Sequence, residues 1–292
     1  MKHVVALVLW SASLVGCAES QPPVTPSVNA TPTPSSSAAA SAAPAPSAAP
    51  AEPPPATAKA ETNVDVPPAI RAIVDAPDRS EPDRKLDAGR HPGELLAFAG
   101  ITPGMKVAEL GAGTGYTTEL LARAVGPTGK VYAENTKLVL EKFAGKPWGE
   151  RLAKPAMKNV VRVDADVDAA WPADAKNLDA VFCVLVYHDI VWLGGDRDKM
   201  NKHVFDALKP GGEYVVVDHS AKDGDGESDV KTFHRIEEKS VIDEVTRAGF
   251  RLASEASFLR NADDKRDWND SPMAAADKRG KSDRFVLKFV KP

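Results

Sequence analysis

The chain is predicted to form an α/β domain on a mainly parallel sheet. Three observations carry that expectation. From residue 106 onward, short apolar runs alternate with stretches of helical spacing. The first run, Lys106 to Leu110, passes into Gly111-Ala112-Gly113-Thr114-Gly115 and then into Tyr116 to Val125, with Leu120, Leu121, Ala124 and Val125 on one helical face. A later helical stretch stops at Lys209-Pro210-Gly211-Gly212, and a new apolar run begins at once.

The beginning of the chain is different. Lys2 and His3 precede the apolar run Val4 to Val15, shorter than the roughly 20 residues a membrane span needs. Leu14-Val15-Gly16-Cys17 resembles the bacterial lipobox. That resemblance implies a lipoprotein signal peptide over residues 1–17 and a lipidated Cys17 that anchors the mature chain to a membrane. The implied location is the cell envelope, on the periplasmic side. Ala18 rather than aspartate follows Cys17, which favours the outer membrane. Residues 18–66 are almost entirely Pro, Ala, Ser and Thr. Such a segment cannot bury a core, and a disordered tether is expected. One folded domain is expected over residues 67–292.

Within that domain, Ile70, Ile73 and Val74 predict a helix over Pro68 to Asp75. The charged stretch Asp78 to Arg90 reads as mostly solvated surface. Leu95, Leu96 and Phe98 predict a short helix before Lys106. Further strands are expected at Lys130 to Glu134, Val160 to Val163, Leu178 to Leu185, Glu213 to Val217, Phe250 to Ser257 and Phe285 to Val290. Helices are expected near Leu138 to Phe143, over Asp196 to Leu208, and unbroken over Val230 to Ala248. Asn261 to Ser282 reads as a long polar loop.

Composition excludes several functions. The net charge of −4, with no basic block interleaved with aromatics, gives no case for nucleic acid. Cys183 is the only cysteine besides Cys17, so the mature chain cannot form a disulfide framework. Its apolar neighbours predict a buried, inert thiol.

The glycine turn is E-x-G-x-G-x-G, from Glu109 to Gly115. A dinucleotide fingerprint needs a glycine where Tyr116 stands, which disfavours a nicotinamide-dependent oxidoreductase. The pattern resembles motif I of the class I S-adenosylmethionine-dependent methyltransferases. The resemblance implies that Gly111, Ala112, Gly113 and Gly115 bring backbone close to the methionyl part of S-adenosylmethionine, with Glu109 facing its amine. Glu134 ends the second strand, where two carboxylate oxygens suit a ribose diol. After the third strand, Asp166 fits the family spacing for the adenine amino group, with Asp164 as runner-up. Leu208-Lys209-Pro210-Gly211-Gly212 is also characteristic of that family. The implied fold is a Rossmann-like sheet of seven strands, mainly parallel with an antiparallel last strand and helices on both faces.

More closely, the chain resembles exported bacterial methyltransferase-like proteins. The matching segments are Arg90-His91-Pro92, His188-Asp189, Asp218-His219-Ser220, His234-Arg235-Ile236 and Asp283 to Phe289. Ligands of open α/β sheets sit beyond the carboxyl ends of the strands, where these histidines should gather. Methyl transfer needs alignment and, for a protonated nucleophile, a base. His188 or His219 is the candidate base, with Asp189 as a neighbouring carboxylate. A metal site from His188, Asp189, His219 and His234 is the other use of such a group. No His-x-x-x-His pair supports it, and no metal is expected. Trp148, Trp171 and Trp192 are read as packing residues or pocket walls. The expected activity is methyl transfer to a small molecule. The alternative is a non-catalytic envelope protein that keeps the fold.

Overall fold

The computed structural model describes residues 59–61, 64–271 and 273–292. The targeting segment, Cys17 and nearly all of the expected tether lie outside the described residues. The described chain begins with a short strand, β1 (Lys59–Glu61), within the stretch expected to be tether. Val64 and Val66 then pack on the core, so ordered chain precedes Pro67.

Three short helices follow: α1 (Pro68–Val74), α2 (Glu81–Arg90) and α3 (Pro92–Phe98). Ser80 caps α2 by accepting from the Asp83 amide. The expectation of solvated surface over residues 78–90 fails at two points, because Arg79 and Asp83 are buried. Each is neutralised by an ion pair: Arg79 by Asp87 of the same stretch at 2.7 Å, and Asp83 by Arg151 from a later helix at 2.8 Å.

The alternating part runs β2 (Lys106–Leu110), α4 (Tyr116–Val125), β3 (Lys130–Asn135), α5 (Lys137–Val139), α6 (Gly145–Leu152), β4 (Val160–Asp164) and β5 (Leu178–Val184). A π-helical turn, Leu140–Ala144, joins α5 to α6. Then come α7 (Tyr187–Leu193), α8 (Arg197–Ala207), β6 (Leu208–His219), α9 (Val230–Phe233), α10 (Glu238–Arg247), β7 (Arg251–Ala256) and β8 (Arg284–Val290). The helix expected over Val230 to Ala248 is broken. His234 adopts a left-handed conformation that ends α9, and the chain runs irregularly to α10.

The sheet order is β1-β7-β8-β6-β5-β2-β3-β4. Only β8 runs antiparallel to its neighbours, β6 and β7, among the described strands. The seven strands β2 to β8 form the expected sheet, and β1 adds to its β7 edge. Successive residues of each strand face opposite layers. Ala108, Val181, Cys183 and Val216 pack with α8 and α10 on one face. Val107, Ala180, Phe182, Val215 and Val217 pack with α1, α3 and α4 on the other. Burying one such Val, Leu or Phe contributes about 1.5–3 kcal/mol, so both faces must be covered. Cys183 is fully buried, and burial pushes its thiol up, as an inert core residue requires. Among the described residues no helix is long and apolar enough to cross a membrane.

Strand order reverses between β2 and β5, because β3 lies on one side of β2 and β5 on the other. The crevice at their carboxyl ends is where this architecture places ligands.

Candidate active site

The glycine loop leaves β2 in a tight left-handed path. Gly111, Gly113 and Gly115 have φ of 60°, 56° and 85°, values that L-residues with a Cβ adopt at a cost. Two of them are also closed by neighbours. A methyl on Gly111 would stand 2.6 Å from Val186, and one on Gly115 would run into the Trp148 ring. Side chains from β3 hold the loop. Glu134 Oε2 accepts from the Gly111 amide at 2.9 Å, and the Glu134 carbonyl accepts from the Ala112 amide at 2.8 Å. Asn135 Oδ1 accepts from the Gly113 amide at 2.8 Å, while its Nδ2 donates to the Gly113 carbonyl at 3.1 Å.

Glu134 is almost fully buried, and its second oxygen, Oε1, has no hydrogen-bond partner. Burial pushes this carboxyl up to about 8, against the lowering effect of the Gly111 amide; Asp166 and Asp164 add to the rise. A buried carboxylate oxygen without a donor is costly, and a ligand hydroxyl would remove that cost. Glu109 is also buried, at the end of β2. Burial raises its carboxyl to about 7, although Thr118 donates a short hydrogen bond to it.

The two aspartates after β4 are placed differently. Asp164 is exposed and paired with Arg162 at 2.7 and 2.8 Å. Asp166 lines a recess with Thr136, Leu138, Val167 and Gly194.

Beyond the ends of β5 and β6 the histidines come together. Leu185 turns the chain with a φ of 59° and sets Val186 against Gly111. His188, in the first turn of α7, is fully buried. Its Nδ1 lies 2.6 Å from Asp218 Oδ1, and its backbone amide donates to Asp218 Oδ2 at 2.8 Å. Burial alone would push His188 down, but the Asp218 carboxylate outweighs it and holds the ring near 9. Its Nε2 is buried with no hydrogen-bond partner and lies 3.5 Å from Asp189 Oδ1. His219 ends β6, with Nδ1 2.8 Å from Ser282 Oγ and 2.5 Å from Asp270. Burial lowers His219 despite the Asp270 carboxylate. His234 Nε2 lies 3.7 Å from Asp189 Oδ1. Burial and the neighbouring His188 and His219 push His234 down to about 3.

Asp189, His219 and His234 face a cavity of about 230 Å³ that Lys85, Arg90, Arg279 and Arg284 also line. The structure thus brings His188, His219, Asp189 and His234 together, as their places after the strands suggested.

Several anchoring residues were missed from the sequence. Tyr116 donates to Asp87 at 2.6 Å, and the Arg90 guanidinium lies 4.5 Å from the centre of its ring. Tyr116 therefore ties α2 to the start of α4. Arg151 on α6 donates to the Thr114 carbonyl at 2.6 Å and to Asp83 and Glu119. Nothing in the spacing of these charges announces the pairing. Asn135 sits directly after Glu134, and its adjacency to a strand end facing a glycine loop was the one available signal. Trp148 proves to be a fully buried wall of the loop, Trp171 packs on the core, and Trp192 is largely exposed.

Residues 88–250 match the protein family described as Protein-L-isoaspartate(D-aspartate) O-methyltransferase. The chain belongs to this family. It is thus among the class I S-adenosylmethionine-dependent methyltransferases, and S-adenosylmethionine is its cofactor. A protein-L-isoaspartate O-methyltransferase from Aeropyrum pernix is 31% identical over 154 residues, 52% of this chain and 54% of that protein. A ubiquinone/menaquinone biosynthesis C-methyltransferase from Pasteurella multocida is 27% identical over 169 residues, 57% of this chain and 60% of that protein. The chain spans somewhat more than half the length of these curated relatives. The fold is similar to the crystal structure of a SAM-dependent methyltransferase from Aquifex aeolicus, with a TM-score of 0.52 and 20% identity, covering 73% of this chain and all of that one.

The site residues fit the cofactor. Glu134 Oε1 offers an unused buried acceptor, and the positive-φ glycines leave a cradle that a Cβ would fill.

Proposed function

We propose that this chain transfers the methyl group of S-adenosylmethionine to a small, negatively charged acceptor held among His219, His234, Arg90 and Arg284. The observation that carries the reading is the junction at Val186. That residue packs on Gly111 of the cofactor cradle and lies two residues before His188. The residue before Val186, Leu185, lines the histidine cavity, so the cradle and that cavity are built on adjacent residues.

In this reading the glycine loop and Glu109 hold the methionyl end of the cofactor, Glu134 its ribose diol and Asp166 its adenine. When bound, the cofactor supplies an electrophilic methyl group. His219 is the base: burial holds it below its ordinary value, so its ring is free to take a proton at neutral pH. His188 is fully buried with its Nδ1 held by Asp218 at 2.6 Å, which fixes the ring in place. The expectation that His188 could serve equally as the base is replaced by this division. The cavity of about 230 Å³ is below the usual range for drug-sized ligands, and four basic side chains line it. Both features favour a small anion over a protein chain.

The test is calorimetric titration of the full chain with S-adenosylmethionine, followed by transfer of labelled methyl to size-fractionated cell extract. Saturable binding and label in the small-molecule fraction are expected. Absence of binding would leave the non-catalytic envelope protein as the better reading, and label in protein alone would remove the small acceptor.

The proposal extends to location. The Leu14 to Cys17 motif and the resemblance to exported relatives support a lipid-anchored protein on the periplasmic side of the envelope, the outer membrane being favoured. Incorporation of labelled fatty acid, lost in Cys17→Ser, tests it.

A further inference from the structure

We propose that His188, Asp189 and His234 bind one divalent transition-metal ion of the zinc or cobalt type. One ligand atom from each residue lies within 4.8 Å of the others. The Asp189 oxygen stands 3.5 Å from His188 Nε2 and 3.7 Å from His234 Nε2. An ion with bonds near 2.0–2.2 Å in tetrahedral geometry needs ligand atoms roughly 3.3–3.6 Å apart. The two separations from Asp189 are close to that.

Three further features point to an ion rather than to a hydrogen-bonded cluster. His188 Nε2 is buried without any hydrogen-bond partner, and it faces the Asp189 carboxylate. An atom so placed is costly unless something occupies it. The opposite ring nitrogen is held by Asp218 at 2.6 Å, in the carboxylate–histidine–metal arrangement that orients a ligating imidazole. An ion at Nε2 would replace the ring's second proton. Third, the His188 and His234 rings stand at 72° with centres 4.1 Å apart, so two imidazoles from different elements converge on one carboxylate. The left-handed residue that breaks α9 from α10 is His234 itself.

The donor set decides the class of ion. Two imidazoles and one carboxylate suit zinc, cobalt and related ions better than magnesium or calcium, which prefer all-oxygen shells. Three protein ligands leave a coordination position open. Asp189 and His234 border the basic cavity, so an anionic group held by Arg90 and Arg284 could complete the shell. That last role rests on the proposed function, whereas binding of the ion does not.

The experiment uses the full chain, stripped with a chelator and titrated with Co²⁺ while visible absorption is followed. One Co²⁺ per chain, displaced by Zn²⁺, is expected. His234→Ala and Asp189→Asn, checked for native circular dichroism, should each weaken binding by about 100-fold. Asp218→Asn should weaken it by about 10-fold through loss of ring orientation. Absence of stoichiometric Co²⁺ uptake, or uptake unchanged in His234→Ala and Asp189→Asn, would overturn the proposal. The Glu134→Gln variant separates the two readings. It should bind Co²⁺ like the parent chain while losing S-adenosylmethionine, so failure of the cofactor reading shows in the donor titration alone.

Discussion

Glu134→Gln tests the physical account of the cofactor cradle most directly. Burial lifts this carboxyl from 4.5 to about 8. At about 1.36 kcal/mol for each tenfold change, the ionised form is on the order of 5 kcal/mol less favourable in the folded chain than in the unfolded one. Because the folded value is raised, the folded chain binds the extra proton between pH 4.5 and 8. Glu134 therefore leaves stability intact below pH 4.5 and removes it as pH rises to about 8. Glutamine has no such proton. Its amide keeps an acceptor for the Gly111 N–H but puts an NH₂ without a partner where Oε1 lies, costing about 1–3 kcal/mol. Without cofactor, the variant should be equal to or slightly less stable than the parent at pH 5, and about 2–4 kcal/mol more stable at pH 9. Denaturant unfolding of both chains at the two pH values measures this, and Glu109 contributes the same slope to each. S-adenosylmethionine should bind the variant about 100-fold more weakly at pH 8, through loss of charge-assisted hydrogen bonds. Parallel stability profiles between pH 5 and 9 would refute the reasoning, as would unchanged donor affinity.

Other perturbations follow from the same geometry. Gly115→Ala combines a left-handed φ with a clash against Trp148 and should cost about 2–4 kcal/mol in denaturant unfolding. Arg151→Ala leaves Asp83 buried without its cation and should cost about 3 kcal/mol, the low end for a broken buried pair, since Arg123 and Lys154 still face Glu119. Tyr116→Phe removes the hydrogen bond to Asp87 and should lower unfolding free energy by about 1 kcal/mol. Asp166→Asn should weaken S-adenosylmethionine binding about tenfold in calorimetry, whereas Asp164→Asn, whose side chain is paired with Arg162, should leave it unchanged.

The strands were readable because a buried parallel sheet writes its residues as short apolar runs between breakers. Lys106–Leu110 and Tyr116–Val125 appear at their expected bounds. β6 begins at Leu208, five residues earlier than its apolar run suggests, because Leu208 pairs with Leu178 before the register shifts. The break at His234 was invisible because Val230 to Ala248 keeps apolar spacing across it. The charged stretch before His91 misled for a related reason. Charge density reports solvation only when the partners are water, and here they are Arg151 and Tyr116.

The sequence by itself determined the architecture and the cofactor chemistry. Alternating apolar runs, a glycine loop and an acid at the next strand end are local patterns, written in consecutive residues. What the tertiary structure decided is which side chains share a site. His188, His219 and His234 stand on separate elements, and although each is expected near the strand ends, sequence spacing does not say which rings meet. The contact of Val186 with Gly111 just before α7, and the turn at His234, set how their rings meet. The shifted pKa values have the same origin: Glu134 and His188 are an ordinary acid and an ordinary imidazole until the sheet buries one without a donor and the other against Asp218.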